Sequence, residues 1–148
     1  DYNDFIKAML RGDIKAMNEY MNRVARDVFS YFDTGRNSSE PERFYHGFVL
    51  GIIVELQDRY IITSNRESGF GRYDVMLEPK DPEMDDAVIM EFKVRDQEDE
   101  STMKDTVAAA LRQIEEKQYA SKLILRGIAP ERIHCYGFAF QGKHVLIG

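Results

Sequence analysis

Apolar side chains recur at three-to-four spacing through the first part of the chain, from Asn3 to Phe32. This spacing is typical of amphipathic helices, and the break at Gly12-Asp13 predicts a short helix followed by a longer one. The segment from Asp33 to Ser39 is polar and rich in turn-forming residues. We therefore expect a helical annex or linker over residues 1–36 and a compact domain over residues 39–148.

The compact domain is predicted to begin with a helix. The segment Ser39-Glu-Pro-Glu42 fits a helix start, with an N-cap serine, a first-turn proline and a glutamate placed for a capping box. The residues that follow, to about Asp58, are apolar around most of a helical circumference, which predicts burial on more than one side. Gly47 and Gly51 lie on one side of this helix, and we interpret them as positions of close packing.

Three β-rich segments come next, at Tyr60 to Ser64, Tyr73 to Glu78 and Ala87 to Val94. The third is an almost continuous apolar run, which is typical of a strand buried on both faces. We expect these segments to form a three-stranded antiparallel meander. The elements predicted after the meander are a helix to about Lys122, a strand over residues 133–140 and a strand over residues 145–147. The order is therefore helix, three strands, helix and two strands, an α/β pattern.

Composition narrows the class of protein. The chain has 148 residues, 43% of them apolar, which is enough for one domain with one core. Its net charge of −6 is that of a well-solvated cytosolic protein rather than one coated for nonspecific duplex binding. Its single cysteine, Cys135, excludes an internal disulfide framework. No apolar run approaches the roughly 18 residues of a membrane span, so we expect a cytoplasmic protein without a membrane partner.

Two ionisable residues interrupt the most apolar strand. Glu91 and Lys93 are two positions apart, so strand alternation places both on one face. If the chain turns at Pro82-Glu83, antiparallel pairing places Asp74 directly opposite Glu91. A bulge in that connection would instead turn Asp74 to the other face.

Opposed carboxylates on neighbouring strands point to a cation. Their Cβ atoms would be about 5 Å apart, where like charges are destabilising unless something neutralises them. Magnesium suits this position because it takes one or two carboxylates, keeps several waters and accepts phosphate oxygens. Lys93 would orient the attacking water or stabilise charge that develops on the phosphate. Together, Asp74, Glu91 and Lys93 predict a site for phosphodiester hydrolysis.

The same residues resemble a known superfamily. Asp74 followed by Glu91-Phe-Lys93, on the second and third strands of this element order, resembles the PD-(D/E)XK nucleases. More narrowly, Phe44-Tyr-His-Gly47 and the segment Ser64 to Asp74 resemble the PD-(D/E)XK domain found at the C-terminus of bacterial AAA-ATPase-like proteins. The resemblance extends from Ser39 to the end of the chain. Tyr73 stands where the proline of the motif would be, but that proline supplies no ligand.

The resemblance implies a fold and a set of roles. The fold is a restriction-endonuclease-like core with a mixed sheet flanked by helices. Asp74 and Glu91 would be ligands of Mg²⁺ or Mn²⁺, the Phe92 backbone carbonyl a further ligand, and Lys93 the catalytic lysine. Gln113 matches a position where the superfamily often carries a polar residue near the site. The implied substrate is DNA, and the implied partner is an ATPase domain on the same polypeptide.

Four other charged residues are auxiliary candidates. The superfamily often places a glutamate on its first helix, and Glu42 and Glu55 both fit that description. For Glu42 the alternative is the capping box, whereas Glu55 is expected to be a buried acid in need of a partner. Glu67 and Arg72 flank a glycine-rich turn at the mouth of the expected site, where they would contact substrate or form an ordinary ion pair.

The sequence is compatible with two alternatives to an active nuclease. The chain would be a catalytically inactive PD-(D/E)XK-like module that binds nucleic acid or protein, which its acidic net charge favours. Or it would be a structural domain in which Asp74, Glu91 and Lys93 form an ion-pair network. The intact set of three residues favours the enzyme.

Overall fold

The structure is a computed structural model, and it describes residues 2–29, 40–66 and 72–148. Within these ranges the chain forms helices, strands and two 3₁₀ turns, at Val54–Leu56 and Pro130–Arg132. In chain order the regular elements are α1 (Tyr2–Arg11), α2 (Ile14–Phe29), α3 (Glu40–Ile53), β1 (Tyr60–Arg66), β2 (Arg72–Pro79), β3 (Ala87–Val94), α4 (Met103–Glu116), α5 (Tyr119–Leu125), β4 (Ile133–Gln141) and β5 (His144–Ile147). The predicted order is confirmed, with two helices instead of one between β3 and β4.

The strands form one five-stranded sheet in the order β1-β2-β3-β4-β5. β1, β2 and β3 pair antiparallel, as predicted for the meander, and β4 and β5 form an antiparallel hairpin. β3 and β4 run parallel because the chain crosses back through α4 and α5 before it re-enters the sheet. The predicted α/β fold with a mixed sheet flanked by helices is therefore confirmed.

The register of β2 and β3 decides which side chains lie together. Asp74 is paired with Glu91, and Arg72 is paired with Lys93. This is the predicted register, without the bulge that would have turned Asp74 to the other face. The three residues of the expected site therefore come from two directly hydrogen-bonded strands.

Helices cover both faces of the sheet. α1, α2 and α3 share a core with one face, and α4 and α5 share a second core with the other. The two cores take different β3 residues: Val88, Met90 and Phe92 for the first, Ala87 and Ile89 for the second. Alternation along the strand therefore directs Glu91 and Lys93 toward the layer of α4 and α5.

Two asparagines of α2 close the outer edge of β5. Asn22 Nδ2 donates to the Val145 carbonyl at 3.0 Å, and Asn22 Oδ1 accepts from the Val145 amide at 3.3 Å. Asn18 bonds Ile147 in the same way, at 2.9 and 2.8 Å. Four residues of helix rise about 6 Å, close to the span of two strand residues. The two side chains thus take the place of a neighbouring strand and protect this edge from strand addition.

Two helices end earlier than the sequence pattern predicts. α3 stops at Ile53 and tightens into the 3₁₀ turn instead of continuing to Asp58. α4 stops at Glu116 instead of continuing to Lys122, because Gln118 adopts a left-handed conformation with φ of 57° that an α-helix does not accommodate. The chain therefore bends between α4 and α5.

The glycines of α3 also differ from expectation. A Cβ added at Gly47 or at Gly51 would meet no atom within 4 Å among the described residues. The close packing partner predicted for this side of α3 is thus not found in the described part of the chain. None of the helices in the same ranges is long and apolar enough to cross a membrane.

Candidate functional site

Asp74 and Glu91 form a buried pair of carboxylates in the middle of the sheet. Asp74 is 2% exposed and Glu91 is fully buried. Directly opposed residues of an antiparallel pair have Cβ atoms about 4.5–5.5 Å apart, so the two side chains lie next to each other. Burial reduces the screening of their charges by water and raises the cost of leaving them unneutralised.

Three donors from neighbouring elements reach Asp74. Asn65 Nδ2, from β1, donates to Oδ1 at 3.1 Å, and the Tyr119 hydroxyl, from α5, donates to Oδ2 at 2.7 Å. Lys117 Nζ, from the bend between α4 and α5, is 3.5 Å from the same Oδ2. Burial lowers the pKa of this lysine. These contacts fix the orientation of the Asp74 carboxylate before any ligand binds.

The pKa of Tyr119 is affected by the negative charges of Asp74 and Glu91. Burial raises the pKa of its hydroxyl above the usual value, and the hydrogen bond to Asp74 and the charges of Asp74 and Glu91 raise it further. The hydroxyl therefore stays protonated and donates to Asp74 throughout the neutral pH range. The strand register places Glu91 on the same face as Asp74.

A glycine next to Glu91 allows α4 to approach the sheet. Gly137 of β4 is paired with Glu91, and a Cβ at Gly137 would lie 2.8 Å from the Val107 carbonyl oxygen of α4. A real Cβ would also approach the Ala110 side chain to 3.1 Å. The absence of a side chain at this position thus sets the distance between α4 and the strand that carries the site.

Replacing Gly137 with alanine is expected to lower the free energy of unfolding by about 1–3 kcal/mol, because the backbone of α4 must move away from β4. Urea unfolding of the variant measures this loss. Gly51→Ala, in α3, is a control for the loss of a glycine without crowding or backbone strain, because its backbone is helical and a Cβ there meets no atom within 4 Å among the described residues. Equal stability of Gly137→Ala and wild type would contradict this account of the α4 contact.

Lys93 is held by a carboxylate outside the opposed pair. Its Nζ is 2.8 Å from Glu100 Oε2, and both side chains are 8% exposed. Glu100 Oε1 also accepts from the Asp96 amide at 2.7 Å and from the Thr106 hydroxyl at 3.0 Å. Burial alone would raise the pKa of Glu100, but the hydrogen bonds from Lys93, Asp96 and Thr106 hold it below its usual value. This network ties the end of β3 to the first turn of α4.

The chemistry of the donors fits a hard divalent cation. Two buried carboxylates offer oxygen ligands of the kind that Mg²⁺ and Mn²⁺ prefer, and such ions retain waters for their other positions. In the described ranges no group of three or more histidine, cysteine, aspartate or glutamate side chains is arranged to hold a metal. A closed structural zinc site, which needs four such ligands, is therefore not the kind of site that these residues form.

The structure places Gln113 and Glu55 on opposite sides of the sheet. Gln113 is partly buried on α4, and its carbonyl accepts from the Lys117 amide at 3.1 Å, at the start of the bend. Glu55 is exposed in the 3₁₀ turn after α3, on the opposite side of the sheet. The prediction of a buried acid at Glu55 is therefore wrong, because the tightening after Ile53 ends the α-helical periodicity on which it was based.

Three auxiliary candidates lie wholly or partly outside the described residues. The side chain of Glu42 and the whole of Glu67 are outside the described ranges. Arg72 is described as part of β2, paired with Lys93, but its side chain is not. The roles predicted for these three residues stay predictions.

The motif Phe44-Tyr-His-Gly47 has a packing role on the other face of the sheet. Tyr45 is fully buried and stacks on Phe140 with a centroid distance of 4.9 Å. His46 stacks on Tyr73 at 4.1 Å and lies 3.4 Å from the Ser64 hydroxyl. Tyr73 is the residue at the proline position of the predicted motif. The motif thus packs against the strand that carries Asp74.

Sequence reasoning missed three residues that the structure brings to the site. Asn65 is paired with Asp74 in the β1–β2 register, and extending the register argument to β1 would have found it. Glu100 belongs to an acidic stretch, residues 96–100, that lies between β3 and α4 and has the composition of an exposed loop. Tyr119 reaches Asp74 because of the bend at Gln118, for which the sequence contains no glycine or proline as a signal.

Comparison with models of known protein families gives a match over most of the chain. The sequence model of a protein family described as the PD-(D/E)XK nuclease superfamily matches residues 40–148. The matched region contains α3, the whole sheet, α4 and α5, and therefore every residue that contacts the opposed carboxylates above. No curated protein and no solved structure matches the chain.

Proposed function

The chain belongs to the PD-(D/E)XK nuclease superfamily, and on that premise we propose that it is a divalent-metal-dependent nuclease domain that hydrolyses phosphodiester bonds in DNA. Nucleases of this superfamily generally use divalent metals. The observation that carries the proposal is the pair of buried carboxylates, Asp74 and Glu91, directly opposed on β2 and β3 with Lys93 on the same face.

In this proposal Asp74, Glu91 and the Phe92 carbonyl hold Mg²⁺ or Mn²⁺. The bound ion supplies a lowered pKa for a coordinated water and positive charge against the phosphate. Asn65 and Tyr119 hold the Asp74 carboxylate in a fixed orientation. Lys93 orients the water and places a positive charge near the reacting phosphate, and Glu100 fixes the position of its ammonium group.

The proposal includes a wider context that rests on sequence resemblance. The motif of β1 to β3 resembles that of the domain at the C-terminus of bacterial AAA-ATPase-like proteins. We therefore propose that an ATPase domain belongs to the same polypeptide and that the whole acts in the cytoplasm. Gln113 is proposed to take part in the site by carrying the bend from which Lys117 and Tyr119 reach Asp74.

Incubation of supercoiled plasmid with the protein tests the activity. We expect nicked and then linear DNA in MnCl₂ and no conversion in EDTA, with Lys93→Met inactive in both. Lys80→Met is the matched control, because Lys80 is an exposed lysine beyond the other end of β2. Plasmid that stays supercoiled at every metal concentration would rule out a DNA nuclease.

A second candidate function has an observation of its own. Lys93 is bonded to Glu100, Lys117 reaches Asp74, and the net charge is −6. A domain whose site charges are neutralised internally suits an inactive module that binds nucleic acid or protein. Such a module would bind a labelled duplex or a protein partner in MnCl₂ and leave the plasmid intact.

A further inference from the structure

The bend between α4 and α5 brings two side chains to a single oxygen atom of Asp74. Tyr119 donates its hydroxyl to Oδ2 at 2.7 Å, and Lys117 Nζ lies 3.5 Å from the same atom. Gln118, between them, has φ of 57°, the one positive φ of a non-glycine residue among the described residues. Left-handed backbone is unfavourable for glutamine. The fold therefore retains an unfavourable conformation at the place that directs both side chains to Asp74.

Lys117 is unusual among the lysines of this helix layer. Its side chain is 26% exposed, and it lies against a carboxylate that is itself 3% exposed. Glu91, a second negative charge, is directly opposite that carboxylate. Two buried carboxylates side by side need a cation that neutralises their charge. The ammonium group of Lys117 lies next to this pair and is itself partly withdrawn from water.

We propose that Lys117 takes the place of the divalent cation in the metal-free protein, and that metal binding displaces its ammonium group from Asp74. The inference rests on the proposed function, because it takes Asp74 and Glu91 as the metal ligands. A monovalent ammonium and a divalent ion compete for the same carboxylate oxygen. Lys117 therefore stabilises the metal-free site and weakens metal binding by the same interaction.

Displacement also gives Lys117 a second position. An ammonium group released from Oδ2 stays within a side-chain length of the metal, because Lys117 is held at the end of α4 by the hydrogen bond that its backbone amide donates to the Gln113 carbonyl. There it lies at the edge of the metal site, where a phosphate of the substrate would bind. Lys117 would thus pass from a carboxylate partner to a phosphate partner when the metal enters.

Lys122 provides the matched comparison. Its Nζ lies 5.5 Å from the centroid of the Tyr119 ring, and that of Lys117 lies 5.7 Å from the same centroid. The two lysines therefore each place one positive charge near the same aromatic ring. They differ in that Lys117 contacts Asp74 and Lys122 is exposed on α5.

Calorimetric titration of the metal-free full chain with MnCl₂ tests the inference. We expect Lys117→Met to bind Mn²⁺ about tenfold more tightly than wild type and to melt at a lower temperature without metal. Lys117→Arg and Lys122→Met should bind Mn²⁺ as wild type does. Equal or weaker binding by Lys117→Met would overturn the inference, whereas absence of Mn²⁺ binding by wild type would instead remove the proposed function.

A measurement on the wild-type protein covers the case in which Lys117→Met does not fold. Reductive methylation with ¹³C-formaldehyde labels the lysines, and Lys117→Arg assigns the Lys117 signal. We expect this signal to move on addition of MgCl₂ toward the chemical shift of the exposed lysines, while that of Lys122 stays in place. A Lys117 signal that does not respond to saturating MgCl₂ would overturn the inference.

Discussion

Replacement of Glu91 by glutamine is expected to lower the rate of Mn²⁺-dependent plasmid nicking at least about a hundredfold, because a lost metal ligand removes several kcal/mol of stabilisation from the transition state. Glutamine keeps the shape of the side chain, so the change isolates the charge. Glu91 is fully buried and directly opposite Asp74, where a neutral amide is a poor substitute for a carboxylate ligand. Initial nicking rates in MnCl₂ give the comparison.

The same variant should be more stable than wild type in the absence of metal. Removing one of two opposed negative charges relieves repulsion of up to about 1 kcal/mol, and urea unfolding in EDTA measures the gain. Glu83→Gln, at an exposed position in the β2–β3 connection, is the control for loss of a carboxylate outside the site. A Glu91→Gln variant that nicks plasmid at the wild-type rate would show that Glu91 is not a ligand.

Breaking the ion pair of Lys93 and Glu100 is expected to lower the free energy of unfolding by about 3–5 kcal/mol, because the remaining partner is left as a buried charge. Both side chains are 8% exposed and 2.8 Å apart. Lys93→Met and Glu100→Gln should each show this loss in urea unfolding. The double variant should lose much less than the sum of the two single losses, since no unpaired charge remains.

Acid should weaken this pair in a predictable direction. The pKa of Glu100 is held below its usual value, so its contribution to stability is complete above that value and is lost as the pH falls through the lower pKa of the folded state. Wild type should therefore lose more stability than Glu100→Gln on acidification below about pH 4. Additive losses in the double variant, or the same acid dependence in both proteins, would contradict the buried pair.

Much of the fold followed from the periodicity of apolar residues. The strand bounds at Ala87 and Val94 were predicted as the structure has them, because a run buried on both faces is apolar at every position but the functional ones. The same periodicity predicted the pairing of Asp74 with Glu91, since strand alternation and a turn near the middle of the connection fix the register.

The parts of the site that were missed depend on contacts between different elements of the fold. The bend at Gln118 has no local sequence signal and is held by tertiary contacts of Lys117 and Tyr119 with Asp74. Glu100 lies in an acidic stretch that resembles a solvated loop, and its burial depends on Lys93 and Thr106. These contacts depend on how the elements pack and on how the loop after β3 folds, which the periodicity of apolar residues does not encode, so local patterns could not identify them.

The contacts of the site residues refine the expected chemistry. Lys93 was expected to act on water or phosphate directly, and the structure adds that Glu100 fixes its ammonium group from the opposite end of a short loop. Asp74 was expected to lie directly opposite Glu91, and the structure adds that Tyr119 and Lys117 contact its Oδ2. The protein thus supplies its own partners for the charges of Asp74 and Lys93.

Soaking a crystal of the wild-type protein in MnCl₂ and recording anomalous diffraction tests the proposed metal centre most directly. The account predicts one strong anomalous peak between the carboxylates of Asp74 and Glu91, with Lys117 Nζ moved away from Asp74 Oδ2. An occupied Mn²⁺ peak elsewhere on the protein, with the Asp74 and Glu91 carboxylates unchanged, would contradict it.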